Sequence, residues 1–225
     1  MKDLVNTTEM YLRTLYDLRE DGVPARQTRL VGRLHQTSGT VCQTVGRLKQ
    51  SGLVSITTDR TVELTERGLA RAVQVTRKHR LAERLLTEVV EMPATLAHVE
   101  ACRLQHVMSE AVERRIVDIL DGPVTSPWGN PIPGLAEFGV TTEAPTAAVR
   151  LADLAACGSP ATGTVRCISE QAQSDPKLIA MLIDAGVIPG ARVTVTRRAR
   201  VYALRGLCTV ELPANLAHVV GFESG

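Results

Sequence analysis

Three observations predict a mostly α-helical chain with small β elements. Apolar residues make up 44% of the 225 positions and aromatics only 3%, so the core must be aliphatic. Apolar residues recur at helical spacing as far as Leu120, whereas short alternating β patterns dominate from Arg150 to Val220. The chain also opens with helix, helix, turn, helix and hairpin, the order of a winged helix-turn-helix. A winged domain, a helical middle and a small C-terminal barrel are therefore expected. No internal repeat or low-complexity tract interrupts them.

Each element has its own signal. Met10, Tyr11, Leu15 and Leu18 mark a helix from Thr7 to Arg19, with Thr7 or Thr8 as its cap and Asp21-Gly22-Val23-Pro24 as its stop. A short helix over Gln27–Leu34 is followed by a turn and cap at Thr37-Ser38-Gly39. A third helix, Thr40–Ser51, turns Val41, Val45 and Leu48 inward and ends at Gly52. Leu53–Ile56 and Thr61–Leu64 alternate around Thr58-Asp59-Arg60 and predict a hairpin. A long helix runs from Thr65-Glu66-Arg67-Gly68 to about Val89, where Met92-Pro93 breaks the pattern; helices over Leu96–Met108 and Ser109–Leu120 follow. Gly122–Pro133 is loop, with four Pro and two Gly in its twelve residues. After a low-charge stretch at Thr141–Ala148, strands are expected at Gly163–Ile168, Arg192–Thr196, Val201–Leu204 and Cys208–Leu212, with a helix at Pro176–Ala185.

Charge is uneven. Residues 1–80 hold 14 Lys/Arg against 8 Asp/Glu, and the remainder 12 against 16, so the basic N-terminal third suits a polyanionic partner. Five dispersed cysteines, Cys42, Cys102, Cys157, Cys167 and Cys208, show no paired spacing and argue against a disulfide framework. No apolar run reaches membrane length and MKDLVNTTEM lacks a signal-peptide core, so a cytoplasmic location without membrane contact is expected.

In a helix-turn-helix the second helix sets its N-terminal side chains against base edges. Thr40 and Gln43 stand there; Gln can bond adenine through two atoms, and the Thr methyl can meet that of thymine. Arg47 and Lys49 further along, and Arg29 on the preceding helix, suit phosphates, and Arg60 stands at the hairpin tip. The plainer alternative is a solvated polar face of a helical bundle. Cys102, Gln105 and His106 fall at i, i+3 and i+4 on one side of a helix, His79 and Glu83 at i and i+4, with His98 just upstream of Cys102. Thiolate, imidazole and oxygen donors suit Fe²⁺, Co²⁺ or Ni²⁺, although such residues also serve as ordinary packing or surface groups. A nucleophile–base pair of Cys102 and His106 is disfavoured: no nucleophile elbow, phosphate-cradling glycine loop or third orienting residue accompanies it, so no enzyme is expected.

LVNTTEMYLRTLYDL (Leu4–Leu18), RKHRLAERLL (Arg77–Leu86), EACRLQHVMSEAVERR (Glu100–Arg115) and SPWGNPIPGL (Ser126–Leu135) together resemble the diphtheria toxin repressor and iron-dependent regulator family. Ser169–Gln173 extends the resemblance more loosely into the last domain. It implies a winged-helix domain over 1–73, a helical metal-binding and dimerisation domain over 74–140, a linker at 141–149 and an SH3-like barrel over 150–225. It implies a homodimeric, Fe²⁺-dependent repressor of iron-homeostasis genes, one or two dimers gripping a palindromic double-stranded operator. Co²⁺, Ni²⁺, Mn²⁺ or Zn²⁺ would substitute in vitro. Two metal sites per subunit are implied: a primary one at Met10, Cys102, Gln105 and His106, and an ancillary one at His79, Glu83, His98, Glu170 and Gln173. Matching the DNA-facing positions adds Thr7, Gln27, Thr28, Thr37, Gly39 and Cys42 to Arg29, Thr40, Gln43, Arg47 and Arg60.

Several positions depart from the family pattern. Gln105 stands where the family has Glu, which keeps a carbonyl oxygen but removes a negative charge from beside a dication. A weakened primary site follows, or a paralogue answering Mn²⁺, Zn²⁺ or another signal. Gly39 and Cys42 replace Pro and Ser, and Gln27, Thr28 and Gln50 replace residues commonly Arg or Ala, so the operator sequence is expected to differ from the family's usual palindrome. The barrel is a further candidate for binding a proline-rich partner or the chain's own Pro127–Pro133 loop.

Overall fold

The computed structural model describes residues 6–141, 148–154 and 160–223. The first helix, α1 (Thr7–Glu20), is capped by Asn6 and not by Thr7 or Thr8: the Asn6 side-chain oxygen accepts from the Glu9 amide at 3.3 Å. Next comes α2 (Gln27–Leu34), which ends where His35 takes a left-handed φ of 50°. Thr37 caps α3 (Ser38–Gln50) by accepting from the Thr40 amide at 3.2 Å. The hydroxyl meets one of the amides a helix start leaves unpaired, so Ser38 and Gly39, expected in the turn, already belong to the helix. Antiparallel β1 (Val54–Ile56) and β2 (Val62–Leu64) form the wing. Tyr11, Leu12, Leu18, Leu30 and Val41 are fully buried where these elements meet. Each such side chain contributes about 1.5–3 kcal/mol through removal of apolar surface from water.

The 23-residue helix α4 (Glu66–Glu88), capped by Thr65, is about 34 Å long at the standard rise. It starts against the wing and ends in the helical middle, so the expected division after residue 73 falls inside one rod. Its first turn lies hard against the chain before the wing, since a Cβ on Gly68 would stand 1.9 Å from the Leu53 carbonyl oxygen. Packed on α4 are α5 (Ala94–Leu104) and α6 (Glu110–Ile119), the latter capped by Ser109. Helix α5 stops before the expected Met108, because the Val107 and Met108 amides both turn to the Leu104 carbonyl. Gln105 therefore caps the helix and His106 follows it in a turn.

Beyond the loop and a 3₁₀ turn at Leu135–Phe138, the chain forms β3 (Val149–Arg150), α7 (Leu151–Leu154), β4 (Ala161–Ile168), α8 (Glu170–Gln173) and α9 (Pro176–Asp184). It continues with β5 (Arg192–Arg198), β6 (Val201–Arg205), β7 (Thr209–Pro213) and β8 (Val220–Phe222). The six strands form one antiparallel sheet in the order β3-β8-β4-β5-β6-β7, with a register shift between Val165 and Cys167. The fold is thus helical with small β elements, ending in the expected small β domain. Residues 142–147 of the expected linker, and Cys157, lie outside the described residues.

The Gly122–Pro133 loop docks onto this last domain. Trp128 is buried in its core, the Ile168 amide donates to the Trp128 carbonyl at 2.9 Å, and Asn130 Nδ2 donates to the Ile168 carbonyl at 2.7 Å. Gly129 (φ +79°) permits the approach, since a Cβ there would meet the Arg166 carbonyl oxygen at 2.0 Å. Among the described residues, no helix is long and apolar enough to cross a membrane.

Candidate metal centre and nucleic-acid face

His79 and Glu83 stand one turn apart on the buried side of α4, facing His98 from α5 and Glu170 from α8. All four are at most 4% exposed, and one donor atom from each lies within 4.8 Å of the others. Glu83 Oε1 sits 3.0 Å from His79 Nε2 and 2.9 Å from His98 Nδ1, and Glu170 Oε2 lies 3.4 Å and 3.6 Å from the same two nitrogens. Two imidazoles and two carboxylates offer the charge that neutralises a dication. Glu83 Oε2 and Gln173 Oε1 are buried with no hydrogen-bond partner, which suits oxygens that await a cation. Gln173 itself is turned aside, with Nε2 donating to the Ile168 carbonyl at 2.8 Å. Four of the five expected ancillary residues are thus brought together.

Of the primary set, Met10, Gln105 and His106 meet. Gln105 Nε2 donates to Met10 Sδ at 3.3 Å and lies 3.1 Å from His106 Nε2, while His106 Nδ1 is 2.5 Å from Glu9 Oε2. Cys102 stands between the two sets. Its Sγ lies 3.8 Å from His98 Nε2, forms a close group with His79 and His98, and reaches Gln105 only through a shared partner.

That partner is Arg13, a residue the sequence reading missed. Its Nη1 lies 3.0 Å from His79 Nδ1, 3.3 Å from Cys102 Sγ and 2.9 Å from Gln105 Oε1, and its Nη2 is 3.0 Å from Glu170 Oε2. Burial alone would raise the Cys102 pKa, yet Arg13 and then His79 hold it well below the usual thiol value, which favours the thiolate. Glu170 behaves alike: burial opposes its charge, and His79 and Arg13 outweigh it. Burial would lower His98, but hydrogen bonds to Cys102 and Glu83 carry it up to about 9. Burial and the neighbouring Glu170 push Asp17 up to about 7. Arg80, fully buried, pairs with Glu20 at 2.5 Å and Glu170 at 3.2 Å and also reaches the Pro131 carbonyl. One sequence signal was available for Arg13 and Asp17. Arg13, Thr14 and Asp17 follow Met10 at i+3, i+4 and i+7, which sets three polar residues on the helix face of a residue expected to ligate.

The other face of the winged domain is open. Thr28, Arg29, Thr37, Gly39, Thr40, Cys42, Gln43, Arg47 and Arg60 are all exposed. Arg60 occupies the wing tip with φ 63°. A cavity of about 750 Å³ between α3 and the wing is lined by Thr28, Cys42, Ile56 and Arg60. Gln27 is half-buried and serves the turn, donating to the Ser38 carbonyl at 3.0 Å. Thr7 lines a second groove with Arg47, Arg67 and Arg71. Those last two arginines extend the cationic surface beyond the residues expected from sequence.

Residues 3–62 match the model of the iron dependent repressor N-terminal DNA binding domain, and residues 65–134 that of the iron dependent repressor metal binding and dimerisation domain. The chain is 51% identical over 230 residues to the iron-dependent repressor IdeR of Mycobacterium tuberculosis (strain ATCC 25618 / H37Rv), covering 99% of each. It is 43% identical over 225 residues to the diphtheria toxin repressor of Corynebacterium diphtheriae, again 99% of each. A solved manganese-dependent transcriptional repressor in complex with manganese matches with a TM-score of 0.74 at 27% identity, over 97% of this chain and 100% of that one. With both family models matched in sequence and the fold shared along its length, the chain belongs to the iron-dependent repressor family of metal-dependent transcriptional repressors.

Proposed function

We propose that this protein is an Fe²⁺-activated repressor that works in the cytoplasm as a homodimer on palindromic operator DNA, with two metal sites per subunit. The observation that carries the reading is the meeting of Met10, on the first helix of the winged domain, with Gln105 and His106 beyond α5. An ion held by Met10, Cys102, Gln105 and His106 would tie the DNA-reading domain to the helical core. His79, Glu83, His98 and Glu170, with Gln173 after a side-chain turn, would hold the second. When bound, the ion supplies a cross-link whose differential affinity for the DNA-competent arrangement shifts a two-state equilibrium. The protein's own part is done by residues: Thr40 and Gln43 read base edges, while Arg29, Arg47 and Arg60 hold phosphates. Leu96, Val99 and Val107 are 59%, 50% and 62% exposed around α5, an apolar surface that suits the partner subunit.

One feature favours a second reading. The amide at Gln105 lowers the charge of the primary set, which would shift the response towards Mn²⁺, Zn²⁺ or another ion. DNA binding by purified metal-free protein, titrated anaerobically with Fe²⁺, Mn²⁺, Co²⁺, Ni²⁺ and Zn²⁺, tests both. Fe²⁺ is expected to activate, with Co²⁺ and Ni²⁺ substituting at similar or lower free concentrations by the general affinity order, whereas activation by Mn²⁺ or Zn²⁺ without Fe²⁺ would favour the second reading. Binding that ignores every ion and persists with chelator would refute a metal-gated repressor.

A further inference from the structure

We propose that Arg13 couples the two metal sites, gripping donor atoms of both with one guanidinium and releasing them together. The proposal rests on the two-site reading above. Nη2 holds Glu170 Oε2 of the ancillary set at 3.0 Å, while Nη1 holds Cys102 Sγ at 3.3 Å and Gln105 Oε1 at 2.9 Å of the primary set. A guanidinium is a rigid planar fork, so one arm cannot leave its partner without moving the other.

Ligation at the ancillary set opposes Arg13 through Glu170. Glu170 Oε2, once given to a dication, no longer balances a second cation beside it. His79 faces Glu83 and Glu170 through Nε2 and Arg13 through Nδ1, with Nη1 at 3.0 Å. Withdrawal of the fork exposes Cys102 Sγ and Gln105 Oε1, two of the four primary donors. Coupling is reciprocal, so filling the primary set equally eases ligation at His79 and Glu170.

The helix already holds a place for the displaced side chain. Arg13 Nε and Asp17 Oδ1 are both buried without a hydrogen-bond partner, one turn apart on the same face. The existing approach, Nε to Asp17 Oδ2, is 3.8 Å. A cavity of about 180 Å³ lined by Met10, Arg13, Asp17, Cys102, Glu170 and Ser174 gives the fork room to swing towards that acceptor.

A double-mutant cycle on the full chain, read with Co²⁺, isolates the effect. The thiolate-to-cobalt absorption band reports an ion held through Cys102, and its loss in Met10→Ala assigns that ion to the primary set and not to the His79–His98–Cys102 group. Glu83→Gln disables the ancillary set without touching Arg13. In the wild-type background it is expected to raise the Co²⁺ midpoint of that band by about tenfold, within the range usual for coupled sites. In an Arg13→Met background the same change is expected to move the midpoint by less than about twofold, and the difference between the two shifts is the coupling through Arg13, since direct charge effects appear in both backgrounds and cancel in it. Arg13→Lys, which keeps a cation but lacks the fork, should also lose most of the coupling, and carries the cycle should Arg13→Met fail to fold. Equal shifts in all backgrounds would overturn the role of Arg13 and leave the two-site reading standing. A wild-type protein that never develops the thiolate band would overturn the two-site reading and the proposal with it.

Discussion

At the scale of the residue, Gln105 is the substitution with the largest expected consequence. It is buried, its oxygen accepts from Arg13 and its nitrogen serves Met10 and His106. Gln105→Glu adds a negative charge to the primary set, so the metal concentration for half-maximal operator binding is expected to fall by about tenfold, worth about 1.4 kcal/mol. Affinity for DNA at saturating metal should hardly change. A metal titration of operator binding, wild type beside variant, checks this; an unmoved midpoint would mean that the amide oxygen ligates as well as a carboxylate. Met10, Glu170 and Gln173 were supplied by the family resemblance alone, while His79 with Glu83, and Cys102 with Gln105 and His106, were legible in sequence from their helical spacing. Arg13 was not, since an arginine on a helix is ordinarily solvated and only the tertiary packing of α1 on α4 buries it.

At the scale of the element, the recognition helix and wing are expected to divide their labour. Gln43→Ala is expected to cost ~1–3 kcal/mol on the cognate site and to relax sequence choice, whereas Arg60→Ala should weaken all DNA alike and lower the salt slope by about one. Competition titrations on specific and random duplexes at several salt concentrations separate the two, and identical behaviour of both variants would erase the division. Long helices with caps were read from sequence to within a few residues. The element that escaped was the end of α5, where local amide bonding closed the helix at Leu104 although the apolar pattern continued to Met108. The short pieces β3, α7, α8 and β8 escaped for a related reason: two to four residues give almost no periodicity, and these lack the flanking turn signal that marked the equally short strands of the wing.

At the scale of the whole molecule, the barrel touches both other parts. Gly129→Ala is expected to loosen the barrel, since the added methyl collides with the Arg166 carbonyl and the backbone there is left-handed. Limited proteolysis should then release the C-terminal domain earlier than in wild type; an unchanged pattern would show that the loop yields. On the other side, His218 lies 2.6 Å from Gln171 Oε1 and 3.5 Å from Arg33 Nη2. Burial, with Arg33, Arg29 and Arg150 nearby, pushes its pKa down to about 4 from an unfolded value of 6.5. The unfolded chain therefore takes up a proton before the folded one. This contribution to stability is full above about pH 6.5 and is lost as the pH falls towards about 4. Thermal melts of metal-free protein at pH 7 and pH 5 should show a larger drop for wild type than for His218→Asn, and equal drops would exclude His218 as the source. The three-part architecture was legible in the change of texture near residue 150, but the docking of Trp128 and His218 was not, because contacts between domains leave no periodic trace.

The continuous α4 rod makes the molecule a lever. From Glu83 at the donor cluster to Glu66 beside the wing the axis runs 17 residues, about 26 Å at the standard rise. A tilt of about 8° at the inner end would carry the outer end about 3.5 Å, close to the ~3.4 Å step between neighbouring base pairs. In a symmetric pair of subunits both arms would swing, and the mismatch against two successive grooves would double. Small changes in how four side chains grip an ion would thus be geared up to the pitch of the duplex, with the stiffness of one uninterrupted helix setting the gear ratio.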